Sequence, residues 1–343
     1  WRVREGVGRT GVVAELGPDY GPTLGLRVDM DALPVEERTG LSYASTRQGL
    51  MHACGHDLHT CTGLGVARLL AQEPHLGARV RLLFQPAEEL AQGAVWMRDA
   101  GAVEGLDALY GVHVVPNLPV GTVGIRRGCL TAAAGELEIL VQGEGGHGAR
   151  PHQSVDAVWL AARVITELQQ TIARRLDALQ PVVISFGKVE GGRAFNVIAD
   201  QVRLLGTVRC LDLQQHAQLP AWIEETVQGI CASGGGTAVV NYRCIAPPVH
   251  NDPQLTTLLE RCAVECLGRD KVLPVEQPSL GAEDFAELLR DVPGMMVRLG
   301  VAGPEGCAPL HNGAFALEED ALGVGIAVLT ATVLAWITEN TSA

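Results

Sequence analysis

The feature that most constrains the fold is an alternation of strand and helix patterns that is interrupted once. The alternation runs through the first part of the chain and resumes after Pro247 and Pro248, which predicts a sheet layered with helices. Between these parts, residues 135–244 follow the order β-α-β-β-α-β of a ferredoxin-like unit. The sequence therefore predicts an α/β domain formed by residues 1–127 and 243–343, with an inserted ferredoxin-like domain at residues 128–242.

Several expected elements have bounds that affect the later argument. A strand at residues 108–112 is expected to place His113 at its end, and Ser154 is expected to cap a helix. Helices are predicted at residues 58–72, 90–100, 155–176, 283–289 and 321–338.

The sequence predicts neither a membrane span nor a signal peptide. No apolar run approaches the ~18–20 residues of a membrane span. The start lacks the cationic segment and apolar core of a signal peptide.

Composition excludes some classes of function. The 343 residues carry a net charge of −13 without a basic block, which argues against a nucleic-acid-binding surface. Apolar residues make up 47% of the chain, enough for a sizeable core. The nine cysteines are odd in number and scattered, which favours a reducing, cytoplasmic setting over a disulfide framework.

The segment at residues 52–59 is the richest in potential metal ligands. It contains three histidines, one cysteine and one aspartate, and all three residue types bind transition metals. Gly55 stands between Cys54 and His56 and allows a tight turn there. Because an apolar helical pattern follows, the segment is expected on a loop or first turn that enters a helix.

Further candidate ligands follow at separate strand ends. Glu89 comes after one strand, His113 after the next, and His311 lies in a loop after a third. Thiolate, imidazole and carboxylate together suit zinc, manganese, cobalt or nickel. Five protein ligands exceed the three or four of one zinc site. Two ions roughly 3.5–4 Å apart that share one ligand would use them all, hold a water and polarise a carbonyl.

Three further features point to catalysis, each with a simpler alternative. In the Glu88-Glu89 pair, one carboxylate can bind metal while the other accepts the water's proton and passes it to a leaving nitrogen, although a helix N-terminus also favours such charge. Asp31 follows a strand at the edge where α/β sheets bind ligands, although a turn or cap also explains it. His147 lies in a glycine-rich loop and can donate to an oxyanion, or simply face solvent.

Seven segments together resemble the amidohydrolase branch of the aminoacylase and glutamate-carboxypeptidase metallopeptidases. That branch includes hippurate hydrolase, indole-3-acetyl-amino-acid hydrolases and N-acetyl-amino-acid deacetylases. The resemblance covers nearly the whole chain in order. The segments are residues 27–34, 52–57, 85–89, 111–113, 145–152, 195–198 and 281–285.

The resemblance implies a role for most of the candidates. Glu88 matches the general base, and Asp31 the acidic residue that supports the metal site. His147 matches a lid-domain histidine that reaches a neighbouring subunit's active site, and Asn196 a position associated with substrate binding. No role follows for the motif at residues 283–284. The resemblance also implies two divalent ions per subunit, whose ligands are matched by Cys54 in the bridging position and by His56, Glu89, His113 and His311.

The chain departs from the family pattern at two points. Leu58 stands where glycine is commoner in this branch, and we expect it to narrow the pocket. The family also usually begins with a helical segment of some tens of residues ahead of the position of Trp1, so we expect a trimmed chain.

These observations predict a cytoplasmic, homodimeric enzyme that hydrolyses the amide bond of N-acyl amino acids with two zinc, manganese, cobalt or nickel ions. The inserted domain is expected to serve as lid and dimerisation domain, and neither nucleic acid nor membrane is expected as a partner. One alternative is a dipeptidase or carboxypeptidase with the same chemistry. Another is a catalytically silent metal-binding homologue, against which the intact Glu88 counts. A third is a thiol hydrolase with Cys54 as nucleophile.

Overall fold

A computed structural model describes residues 1–73, 75–177, 179 and 181–341. The strands are β1 (Arg2–Val7), β2 (Gly11–Leu16), β3 (Thr23–Asp29), β4 (Arg79–Gln85), β5 (Ala108–Pro119), β6 (Val123–Ile125), β7 (Gly128–Cys129), β8 (Ala133–Gln142), β9 (Gly146–His147), β10 (Val182–Gly191), β11 (Val197–Ile198), β12 (Gln201–Cys210), β13 (Thr237–Ala246), β14 (His250–Asn251), β15 (Val272–Pro274) and β16 (Gly294–Ala302). The helices are α1 (His56–Leu70), α2 (Gly93–Asp99), α3 (Ala157–Arg175), α4 (Leu213–Ser233), α5 (Pro253–Leu267), α6 (Phe285–Leu288) and α7 (Ala321–Thr341).

The chain divides into two compact units, each with its own core. The first comprises Trp1–Leu130, Val249–Gln277 and Glu283–Ala343, and the second comprises Thr131–Pro248 and Pro278–Ala282. The sequence predicted breaks after residues 127 and 242. It did not predict that residues 278–282 belong with the second unit.

The first unit is built on a large sheet with helices on both faces, as expected for an α/β fold. Within the described residues the sheet has eight strands in the order β1-β2-β4-β3-β5-β16-β6-β15, with β4, β3, β5 and β16 parallel at its centre. Because side chains alternate along a strand, Leu24, Leu26 and Val28 pack on one face in a core shared with α1, α5 and α7. On the other face, Leu83 and Leu109 pack with α2 and α6.

The prediction that His113 ends its strand is wrong, because β5 continues to Pro119. The surroundings of His113 are determined by how far the neighbouring strands β3 and β16 pair with β5, not by the end of β5. On the β3 side, pairing stops at the Arg27–Gly111 position, whereas on the β16 side it continues through the Arg298–His113 position. His113 therefore lies just beyond the last β3–β5 pair although it is inside β5.

Several helix bounds differ from the sequence prediction, and three of the differences lie near the predicted ligands and Glu88. α1 begins at His56 rather than residue 58, directly after Gly55. α2 is shorter than expected, since Ala87 and Ala91 adopt left-handed φ values of 53° and 51° and residues 88–91 form a turn. α6 begins at Phe285, which leaves residues 283–284 outside the helix.

In the second unit, four antiparallel strands lie in the order β10-β12-β8-β13. With α3 and α4 they give the expected β-α-β-β-α-β order, and both helices share one core with the sheet. The cap of α3 was predicted wrongly: the Asp156 carboxylate, not Ser154, accepts the backbone N–H groups of Val158 and Trp159. Asp156 can do so because it directly precedes the first helical residue.

The expectation that no segment is long and apolar enough for a membrane span is wrong for α7. Its 21 residues pass that test by length and composition, and half of its apolar window is buried inside the protein. α7 packs against α1, α5 and β16. A helix that is apolar all round is typical of a protein core as well as of a membrane.

The most highly charged part of the interior surrounds Arg27 of β3, whose side chain is fully buried. Its Nη1 donates to Asp29 Oδ2 at 2.8 Å, and its Nη2 lies 3.0 Å from Glu283 Oε1 and 3.1 Å from Asp284 Oδ1. The Nε donates to Gln85 Oε1 at 2.9 Å. All three guanidinium nitrogens are thus engaged by polar side chains.

We predict that Arg27→Gln strongly destabilises the first unit. The substitution removes the cation and leaves three buried carboxylates without their ion pairs, a change that typically costs about 3–5 kcal/mol. Urea unfolding of the metal-free protein measures the free energy of unfolding. The matched control is Arg127→Gln, because Arg127 is exposed and contacts Glu260 and Thr257 at the surface. Equal unfolding free energies for the two variants would contradict the role given to Arg27.

Candidate metal centre

Gly55 allows Cys54 and His56 to approach the sheet together. It adopts a left-handed φ of 77°, and a Cβ atom there would lie 2.5 Å from Val114 Cγ2. Only glycine therefore fits this turn without displacing β5. As a result, the Cys54 Sγ lies 3.6 Å from His113 Nε2.

The five predicted ligands converge in two overlapping groups. The ligand atoms of Cys54, His56 and His113 all lie within 4.8 Å of one another, and so do those of Cys54, Glu89 and His311. Cys54 is the member that both groups share. The backbone N–H of His311 donates to Ala53 O at 2.8 Å and ties its loop to the cysteine segment.

The donor atoms of this cluster fit bound metal. His56 Nε2 and Glu89 Oε1 are buried and have no hydrogen-bond partner among the described residues. Glu89 Oε1 lies 3.1 Å from His311 Nε2, but the contact lacks hydrogen-bond geometry. Burying such polar atoms without a hydrogen-bond partner costs free energy unless a cation binds them. Thiolate, imidazole and carboxylate are ligands of divalent transition metals.

Asp31 contacts two of the predicted ligands. Its Oδ1 lies 3.2 Å from His56 Nδ1, and its Oδ2 accepts the backbone N–H of Glu89 at 3.1 Å. Although burial opposes ionisation, the contact with His56 lowers the pKa of Asp31. A carboxylate on the second nitrogen of a histidine orients its ring and strengthens its basicity toward metal.

His113 is held as a neutral imidazole. Its Nδ1 donates to the Val114 carbonyl at 2.7 Å, which leaves Nε2 on the side of Cys54. Burial, with His59 nearby, holds the pKa of His113 well below its usual value. A neutral ring with one nitrogen engaged by a carbonyl is the form that ligates metal.

Sequence reasoning missed the role of Asp29 and His59. His59 Nδ1 lies 2.5 Å from Asp29 Oδ1, and its Nε2 accepts the backbone N–H of Val114 at 2.8 Å. Because both ring nitrogens are occupied, His59 joins the end of β3 to β5 rather than ligating a metal. His59 follows His56 by three residues on α1, and this spacing places both rings on one face of the helix. That spacing was the sequence signal from which a role for His59 beside His56 could have been predicted.

The motif at residues 283–284, to which the sequence assigned no role, lies against Glu88. The carboxylate oxygens of Glu88, Glu283 and Asp284 lie within 4.8 Å of one another. Burial, with Glu283 and Asp284 close by, raises the pKa of Glu88 well above its usual range. A carboxyl group tuned in this direction is suited to accept and return a proton near neutral pH.

The surroundings of Cys54 do not favour a thiol nucleophile. Burial, followed by Glu89 and Glu88, raises the pKa of the Cys54 thiol. Nucleophilic cysteines have a lowered pKa, because the thiolate is the reactive form. The arrangement therefore favours the metal-ligand role over the thiol hydrolase alternative.

His147 and Asn196 lie together in the second unit. Strands β9 and β11 pair His147 with Val197, and the Asn196 carbonyl accepts the Gly148 N–H at 2.9 Å. Both side chains are exposed. His147 Nδ1 accepts the N–H of Ala149 at 3.1 Å, so in a neutral ring the proton is on Nε2, which is free to act as a donor.

Leu58 faces a cavity of about 350 Å³ in the first unit. Phe315, Leu317 and Leu322 line the same cavity, and none of the five predicted ligands does. Leu58 therefore lies at this cavity and not in the ligand cluster, and its narrowing effect stays a prediction.

The fold and this cluster define a metal-dependent hydrolase of the α/β class. A model of peptidase family M20/M25/M40 matches residues 25–335, and the chain belongs to this family, which confirms the resemblance seen in the sequence.

Three similar proteins illustrate the range of the family. A Synechocystis sp. protein named "Probable hydrolase" is 52% identical, over 97% of this chain and 86% of its own length. The N-acetylcysteine deacetylase of Bacillus subtilis is 39% identical, over 92% of this chain and 82% of its own length. The crystal structure of the Bacillus subtilis YXEP protein, described as a dinuclear metal binding peptidase, has a TM-score of 0.84 at 34% identity and covers 98% of this chain and 87% of that chain.

Proposed function

We propose that the protein hydrolyses the amide bond of N-acyl amino acids with two divalent metal ions per subunit, releasing a carboxylic acid and a free amino acid. The observation that carries this proposal is that five ligands form two groups that share Cys54, with Glu88 beside them. The deacetylase and dinuclear peptidase similarities support the same chemistry. When bound, the two ions supply Lewis acidity and an activated water.

In this proposal Cys54, His56, Glu89, His113 and His311 hold the ions and Asp31 orients His56. Glu88 takes the proton of the attacking water. Its raised pKa then lets it return that proton to the nitrogen that leaves. The odd number and scattered spacing of the nine cysteines support a reducing, cytoplasmic location for the enzyme.

We further propose that the protein is a homodimer in which His147 of one subunit donates to the oxyanion in its partner's site. The exposed Nε2 of His147, the adjoining Asn196 and the family resemblance support this assignment. In the proposed dimer the second unit, residues 131–248 with 278–282, acts as lid and as dimerisation unit.

We predict that Glu88→Gln retains its metal but loses turnover by about 10²–10⁴-fold, since the amide cannot accept the water's proton. Glu89→Gln, its matched neighbour, should instead bind metal more weakly. Metal content by mass spectrometry and rates on N-acetyl-L-methionine separate the two effects.

The reverse pattern would mean that the two roles are exchanged. The substrate class is checked on the same preparation by comparing N-acetyl, N-benzoyl and N-indoleacetyl amino acids with dipeptides. Faster cleavage of the dipeptides would contradict the proposed class and favour a peptidase.

We predict that His147→Ala and Glu88→Ala, each inactive alone, restore activity when they exchange subunits. Removal of an oxyanion donor typically costs about 10²–10³-fold in turnover. In a mixed dimer one site combines an intact Glu88 with an intact His147 from the other chain, and the other site has neither.

The assay uses co-expressed chains with different tags, so that the mixed dimer is purified before its rate is measured. The unmixed parent dimers are the controls. If the purified mixed dimer is no more active than its parents, His147 does not act on the partner's site.

A further inference from the structure

Arg298 is a partly buried arginine next to the ligand cluster. Its guanidinium forms no hydrogen bond or ion pair with the described part of the chain. It lies in β16 directly opposite His113 of β5, and the two strands are parallel. In-register residues of neighbouring strands lie on the same face, with strands about 4.8 Å apart. The backbone of Arg298 pairs with both neighbouring strands, but its guanidinium makes no hydrogen bond or ion pair with the described residues. A free cation thus stands beside a predicted metal ligand.

Arg27 lies on the same face of the large sheet as Arg298, but its guanidinium is fully paired. All the nitrogens of Arg27 are engaged, by Asp29, Glu283, Asp284 and Gln85. The donors of Arg298 remain available, and the nearest acidic groups act on it only through their charge. Burial lowers the pKa of Arg298, and Glu283, Cys54 and Glu88 oppose that shift. Arginine nevertheless stays protonated in proteins, so the group remains a cation.

The covalent geometry of an N-acyl amino acid restricts where its carboxylate can lie. The N–Cα and Cα–C bonds are about 1.46 and 1.52 Å long, so the carboxylate carbon is less than about 3 Å from the amide nitrogen. A group that binds this carboxylate must therefore adjoin the ligand cluster. Arg298, one strand from His113, meets this requirement.

We propose that Arg298 binds the free α-carboxylate of the substrate and so restricts the enzyme to amides whose nitrogen side bears that group. The guanidinium fork matches a carboxylate through two parallel hydrogen bonds. The inference rests on the proposed function, because it concerns a subsite of the same cluster. In this proposal Arg298 selects N-acyl amino acids over N-acyl amines, which lack the α-carboxylate.

The test compares N-acetyl-L-methionine with N-acetyl-L-methioninamide, which differ only in the charged group. Hydrogen bonds to charged groups are typically worth an amount that corresponds to about 10–150-fold in affinity. We expect Arg298→Gln to lower kcat/KM by about this factor more on the acid than on the amide, because only the acid loses the carboxylate contact. Arg298→Lys should recover part of the loss. Arg127→Gln is the control for loss of an exposed arginine.

Measurements of ligand binding make this test independent of hydrolysis. In metal-loaded Glu88→Gln protein, calorimetry gives the Kd of both compounds with and without Arg298→Gln. Equal affinity for acid and amide before the Arg298 substitution would overturn the inference, and so would an equal loss on both compounds after it. If binding follows the expected pattern but the unsubstituted enzyme cleaves neither compound, the carboxylate subsite stands and the proposed hydrolysis fails.

Discussion

The ion cluster around Arg27 is the interaction on which the carboxyl edge of the sheet depends. One fully buried guanidinium fixes Asp29 on its own strand and the 283–284 segment from near the end of the chain. Asp29 in turn holds His59, which accepts the backbone N–H next to His113. Asp284 also accepts from Gln85 and from the Ala94 N–H near the start of α2. Because separating these buried charges from their partners would be strongly destabilising, the segments are held in one arrangement.

This arrangement also determines the acid–base character of the cluster. More carboxylates than cations are buried at this edge, and burial together with the neighbouring Glu283 and Asp284 raises the pKa of Glu88. His113 remains neutral and His56 is oriented by Asp31. Bound cations would balance the excess of negative charge, in keeping with the unpaired donor atoms of His56 and Glu89.

The sequence was informative where local pattern and chemistry coincide, as in the alternation of strands and helices and the segment at residues 52–59. It failed where distant contacts decide. Arg27 and Asp284 are 257 residues apart, so no local pattern connects them. Ala87 and Ala91 are good helix formers, yet tertiary structure holds them in left-handed turns, and α2 is shorter than predicted. The surroundings of His113 depend on where the pairing of β3 with β5 stops, which the local pattern of β5 does not show.

The central claim is that two metal ions per subunit share Cys54 and are both needed for turnover. The most direct measurement removes metal with a chelator, then records turnover and bound metal as manganese or zinc is added back in known equivalents. The account predicts activity that rises up to two equivalents per chain. Cys54→Ala should bind less metal and remain inactive, while the exposed Cys61→Ala control on α1 behaves as the unsubstituted protein. Full activity without metal, or normal metal content and rate in Cys54→Ala, would contradict it.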